Sequence, residues 1–223
     1  MMLPSPLLRA AEGAGEAASD VQPAFIMRGP GFGNRIAITF DDGPSPGVTN
    51  IVLQELEKRN LKATFFMIGS KVDRFPSLAK EVVDAGHEVA NHSYTHPALS
   101  SLPDDRVRWE LAKCQEAIHN ATGKTPVWFR PPYGAFRPNQ GHLAREAGLG
   151  IAIWSVDPRD WAKPGESAII SRIMTTTTPG SIILLHDLHQ QTANAVSGVL
   201  SGLRERSYSF ANLSRFIGRP YAV

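Results

Sequence analysis

The strongest constraint on how this chain can fold is an alternation that begins at Arg35, where short apolar runs take turns with longer segments of helical period. The apolar runs predict strands near Arg35–Phe40, Ala63–Ile68, His87–Asn91, Trp128–Arg130, Gly150–Trp154 and Ser181–His186. The longer segments predict helices near Val48–Arg59, Leu78–Ala85, Asp104–Ala121, Gln140–Ala147, Ser167–Thr175 and Ala193–Arg204. Strands and helices in this order are the pattern of an α/β fold with a mainly parallel sheet. Gly86, Gly123 and Gly148 fall just past helix ends, where a left-handed residue commonly stops a helix. Tyr208–Phe210 reads as a last short strand, followed by a short helix through Phe216. Residues 1–22, rich in Ala, Gly, Ser and Glu, read as a mobile tail, and residues 23–223 as one domain without internal repeats.

Composition narrows the classes. A length of 223 residues suits one domain, and 42% hydrophobic residues are enough for a sizeable core. Lys and Arg number 23 against 21 Asp and Glu, with no basic run, which argues against a nucleic-acid partner. No apolar stretch is long enough to span a membrane. The lone cysteine, Cys114, is expected in the core, since a free thiol behaves as a small hydrophobe. The first 20 residues lack the basic start and apolar stretch of an export signal, so the protein is either cytoplasmic or separated here from its signal. Asn120-Ala121-Thr122 matches a glycosylation acceptor but sits at a helix end and reads as coincidence.

Reactive side chains gather where strands end. The first strand ends in Asp41 and Asp42, the third runs into His92 and His96, and the fourth into Arg130 and Tyr133. The fifth runs into Asp157 and Asp160, and the sixth ends at His186. In α/β barrels the active site lies at the carboxyl ends of the strands, so five such clusters predict one shared site.

Each cluster has a chemical and an ordinary reading. Asp41-Asp42-Gly43-Pro44 could be a turn, yet consecutive side chains at a strand end diverge, so one carboxylate could hold a metal while the other acts as a base. His92 and His96 could be plain polar histidines. If they lie on a helical turn, their spacing of four puts both imidazoles on one face and lets them share a metal. With Asp42 they give two nitrogens and one oxygen, leaving a coordination position open for water. Arg130, ahead of two prolines, is either a surface residue of a rigid loop or a fork for a carboxylate. Asp157-Pro158-Arg159-Asp160-Trp161 is either a turn or an acid that orients a histidine beside an aromatic wall. His186, closing an apolar strand, is either structural or a general acid.

Taken together, these residues resemble the NodB-homology polysaccharide deacetylases, carbohydrate esterase family 4. The resemblance spans roughly Arg35 to Phe216. It rests on TFDDG at Thr39–Gly43, HSYTH at His92–His96, RPPYG at Arg130–Gly134, DPRDW at Asp157–Trp161 and LLH at Leu184–His186. It implies a distorted (β/α) barrel of about seven parallel strands rather than eight. It also implies a divalent metal, usually zinc, on Asp42, His92 and His96, with Asp41 as base and His186 as acid. Arg130 would pair with the base and Asp160 would support the acid. The Tyr133 N–H would help hold the developing oxyanion, and Trp161 and Leu184 would border the acetyl methyl. The expected partner is an acetylated amino-sugar polymer or oligomer such as chitin, chitin oligomers or peptidoglycan, met by a monomer outside the cytoplasm. Three rivals share much of this pattern: an O-acetyl xylan esterase, a carbohydrate-binding relative without catalysis, and a metal-independent amide hydrolase.

Overall fold

The computed structural model describes residues 25–220, so the tail expected over 1–22 and the last three residues of the domain lie outside the described residues. Eight strands run in chain order: β1 (Phe25–Ile26), β2 (Arg35–Asp41), β3 (Thr64–Met67), β4 (Glu88–Asn91), β5 (Trp128–Phe129), β6 (Gly150–Ala152), β7 (Ile182–His186) and β8 (Ser209–Phe210). Seven form one parallel sheet in the order β1-β6-β5-β4-β3-β2-β7, and β8 pairs with the start of β2. The helices are α1 (Val48–Glu57), α2 (Gly69–Arg74), α3 (Pro76–Asp84), α4 (Asp104–Thr122), α5 (Gly141–Glu146), α6 (Glu166–Thr176), α7 (Gln190–Glu205) and α8 (Leu213–Ile217).

The sheet curls far enough for its edges to meet. Val156, just beyond β6, bridges in parallel to Ile183 of β7, and the Leu184 N–H donates to the Val156 carbonyl at 2.9 Å. Just before β7, Arg28 bridges to Ser181 and the Gly29 N–H donates to the Gly180 carbonyl. This is the distorted barrel expected from the sequence, with seven parallel strands in one domain.

Strand periodicity assigns the two faces. On β2, Ile36, Ile38 and Phe40 pack outward into a core shared with Val52 and Leu56 of α1 and Val196, Val199 and Leu203 of α7. Ala37 belongs instead to the barrel interior, with Phe66, Ala90, Trp128, Ala152 and Ile182. The next inward positions on β2 are Thr39 and Asp41. A third cluster joins Val107 and Leu111 of α4 to Leu143 and Ala144 of α5 and Ile151 of β6. Gly86, Gly123 and Gly148 all have positive φ, as expected for helix terminators. Cys114 is buried, and burial pushes its thiol up to about 12, so it is a core residue.

Candidate active site

Strand register builds the centre of the site. Parallel pairing of β2 with β7 sets Thr39 opposite Leu184 and Asp41 opposite His186. A carboxylate and an imidazole thus stand side by side at the carboxyl ends of adjacent strands, although 145 positions separate them in the chain.

Arg130 crosses the interior to meet this pair. It is fully buried, which rejects the surface-loop reading. Its Nη1 donates to Asp41 Oδ1 at 2.6 Å and to Thr39 Oγ1 at 2.9 Å. Its Nε and Nη2 donate to the carbonyls of Ala152 and Ile153, and the guanidinium lies 4.0 Å from the centroid of the Phe66 ring. A buried charge is tolerable only when paired and hydrogen-bonded, and Arg130 meets both conditions.

Asp42, His92 and His96 come together as a separate trio. One ligand atom from each lies within 4.8 Å of the others. His92 Nε2 and His96 Nε2 stand 3.4 and 3.1 Å from Asp42 Oδ1. Yet Asp42 Oδ1 is buried without an aligned hydrogen bond, as expected of atoms arranged around a common cation rather than around each other. His92 Nδ1 lies 2.8 Å from the Arg130 carbonyl, which can only accept, so Nδ1 carries the proton and Nε2 is left as a lone pair. The donor set therefore fits a divalent metal. Burial opposes ionisation of Asp42, but the polar contacts of the His92 and His96 imidazoles outweigh it and hold the carboxyl well below the usual range.

The two imidazoles do not lie on a helical turn, the condition under which their spacing of four would set them on one face. Residues 92–96 form an irregular loop after β4, with Ser93 and His96 in left-handed conformation at φ 61 and 62. Asp42 is left-handed too, at φ 74, which breaks the strand alternation after Asp41. At Gly43 a β-carbon would come within 2.2 Å of Asp187 Oδ2, so close approach requires glycine there.

His186 is held by Asp160. Its Nδ1 lies 2.8 Å from Asp160 Oδ1, and its backbone N–H donates to Asp160 Oδ2 at 2.8 Å. Thr192 Oγ1 also donates to Oδ2, so the fully buried carboxylate is fixed from three sides. Burial pulls the His186 pKa down, but the hydrogen bond and charge of Asp160, aided by Asp41 and Asp42, raise it to about 9. Asp157 keeps its turn role, because its Oδ1 accepts from the Arg159 N–H at 2.7 Å.

Asp41, the Asp42–His92–His96 trio and His186 open onto a cavity of about 490 Å³, which the fully buried Arg130 and Asp160 do not line. Asp41, Asp42, His92, His96 and His186 line its floor, with Tyr133, Trp161 and Leu184 on the walls. Tyr133 is 70% exposed and Trp161 48%, so neither is a core residue. Trp154, Leu188 and His189 also line the cavity, and the sequence argument missed them because it stopped at strand ends and motif boundaries. It missed Asp187 as well, a fully buried carboxyl whose Oδ2 accepts from Thr49 Oγ1 at 2.5 Å while burial raises its pKa to about 7.

The sequence pattern described as polysaccharide deacetylase matches residues 29–152, and the chain belongs to that family. It is similar to the peptidoglycan-N-acetylglucosamine deacetylase PgdA of Listeria monocytogenes, 40% identical over 189 residues, covering 85% of this chain and 40% of that protein. The chain thus spans about two fifths of the length of that relative. It is also similar to a chitooligosaccharide deacetylase of a Bradyrhizobium species, 38% identical over 205 residues, covering 83% and 94% of the two chains. Among solved structures, one from Bacillus anthracis described as a CE4 family pseudoenzyme superposes with a TM-score of 0.84 at 34% identity, covering 88% and 70%. Among the described residues, no helix is long and apolar enough to cross a membrane.

Proposed function

We propose that this protein is a metal-dependent hydrolase that removes N-acetyl groups from N-acetylglucosamine units of chitin, chitin oligomers or peptidoglycan. The observation that carries the reading is the coexistence in one cavity of a metal-fitting trio, a carboxylate and an imidazole, with Asp41 paired to Arg130 and His186 to Asp160 from behind. Likeness to a pseudoenzyme shows that this fold alone does not decide activity, so the reading rests on these side chains.

Asp42, His92 and His96 would hold the metal, and zinc suits a site with two imidazoles and one carboxylate. When bound, such a metal supplies Lewis acidity that acidifies water and polarises a carbonyl. The chain's own groups move the protons. Arg130 engages Asp41 Oδ1, leaving Oδ2 to take the proton from water as it attacks the acetyl carbonyl carbon. The Tyr133 N–H is assigned to the oxygen of the tetrahedral species, a donor role worth about 3–4 kcal/mol in comparable sites. His186, protonated at neutral pH, gives a proton to the departing amine nitrogen as the C–N bond breaks, so acetate and the free amino sugar are the products. Trp161 and Leu184 border the acetyl methyl, and the exposed Tyr133 ring offers a face to a sugar.

Acetate release from chitin oligomers, chitin, peptidoglycan and acetylated xylan tests the reading, with and without chelator and with zinc restored. Release from amino-sugar substrates, lost with chelator and recovered with zinc, is expected. Release from xylan alone would replace it by the esterase. No release from any substrate by zinc-loaded protein would favour a binding protein.

A further inference from the structure

Both histidines of the metal trio sit on an irregular loop, so something outside the loop must fix its shape. Glu110, in the second turn of α4, is fully buried and reaches the loop from behind. Its Oε2 accepts from the backbone N–H groups of Tyr94 and Thr95 at 2.9 and 2.8 Å. Its Oε1 accepts from Thr95 Oγ1 at 2.6 Å and from Arg106 Nη2 at 2.8 Å. Four donors converge on two oxygens, an arrangement that only an acceptor at both positions satisfies. The loop's carbonyls are taken separately, since Gly69 and Ser70 at the start of α2 donate to those of Ser93 and Tyr94.

The clamped peptides, Tyr94 and Thr95, lie between two residues in sparsely populated left-handed conformations, Ser93 and His96. Such conformations are strained and persist only where surrounding contacts over-determine them. The same turn brings His96 Nε2 back to 3.1 Å from Asp42 Oδ1. A metal tolerates ligand displacements of only about 0.2 Å, so a small relaxation of this turn is felt at the ion.

We propose that Glu110 is the positioning residue of the metal site: its carboxylate locks the 92–96 turn and thereby sets the affinity of His92, His96 and Asp42 for a divalent metal. This rests on the reading of that trio as metal ligands. Glu110→Gln keeps the volume but turns one acceptor into a donor facing N–H or O–H groups. Zinc affinity of metal-stripped protein, measured by competition with a chromophoric chelator, should fall by about 10–100-fold, the usual effect of losing a partner that orients ligands. Thr95→Val, which removes one of the four donors, should give a smaller loss in the same direction and serves if Glu110→Gln does not fold. Val199→Ala, on the buried face of α7 in the core shared with α1 and β2, should lower the melting temperature while leaving zinc affinity unchanged. Equal zinc affinity in wild type and Glu110→Gln would overturn the proposal while leaving the metal site intact. An equal loss in Val199→Ala would reduce the effect to general stability and overturn it too. Failure of the wild type to bind zinc at all would remove the metal reading together with the proposal.

Discussion

Replacing Asp160 by Asn separates His186, the proposed general acid, from the carboxylate that raises its pKa. The rise of the His186 pKa from 6.5 to about 9 corresponds to roughly 3 kcal/mol of preference for the imidazolium. Asp160 is the principal upward influence, while burial acts downward and stays in place in the variant. In Asp160→Asn the pKa should therefore fall to 6.5 or below, and the alkaline limb of kcat/KM should move down by at least two pH units. At pH 8 the protonated fraction would drop from near unity to a few per cent, a loss of about 30-fold in rate. Near pH 5.5 much of that loss should disappear. The assay is acetate release from a chitin oligomer by zinc-loaded protein over pH 5–10. The displacement between wild type and variant is the measured quantity, because a bound cation acts on both. Linkage gives an independent check with a definite sign. A raised folded pKa stabilises the protein fully below pH 6.5 and loses that contribution as pH rises through 9. Wild type should thus lose more stability than the variant between pH 6 and pH 10 in urea titrations. An alkaline limb that stays in place in Asp160→Asn would refute the assignment of His186 as the acid supported by Asp160.

Three further outcomes follow from the geometry. Asp41→Asn should abolish acetate release yet bind zinc, as equilibrium dialysis would show, and retained turnover would exclude Asp41 as the base. Arg130→Met removes the partner of a buried carboxylate and should cost about 3–5 kcal/mol in chemical denaturation, far more than an exposed ion pair. Gly43→Ala drives a methyl group into the Asp187 carboxylate and should destabilise the protein by about 1–3 kcal/mol with loss of activity, whereas Gly47→Ala, where a β-carbon meets nothing within 4 Å, should cost less despite its positive φ.

Much of this architecture was legible because local and global signals coincide. The apolar runs that became β2, β3, β4 and β7 are bounded by turns and buried along most of their length, and the long helices α1, α4 and α7 each carry an apolar stripe. Elements that escaped notice lack such signals. β1 has two residues and exists through pairing with β6, and α2, with the sequence GSKVDR, is too short and polar to show a helical period. The predicted strand ends at Trp154 and Arg130 overran, because Ile153 and Trp154 leave the sheet and Arg130 turns inward to the Asp41 carboxylate.

The site divides along the same line. Asp41 and His186 meet because two strands pair in parallel with a fixed register, and register follows from burying one face of each strand, which the sequence displays as alternation. Asp42, His92 and His96 meet through left-handed residues and a buried carboxylate on a distant helix. The motif His92–His96 records the residue types and conceals the geometry, since a spacing of four serves a helix and an irregular turn alike. The two halves should therefore fail differently. Strand register is held by many contacts, so the placement of Asp41 beside His186 should tolerate substitutions elsewhere along the two strands. The histidine loop depends on a few side chains, Glu110 foremost, so changes on α4 that leave the barrel folded should appear first as lost metal affinity.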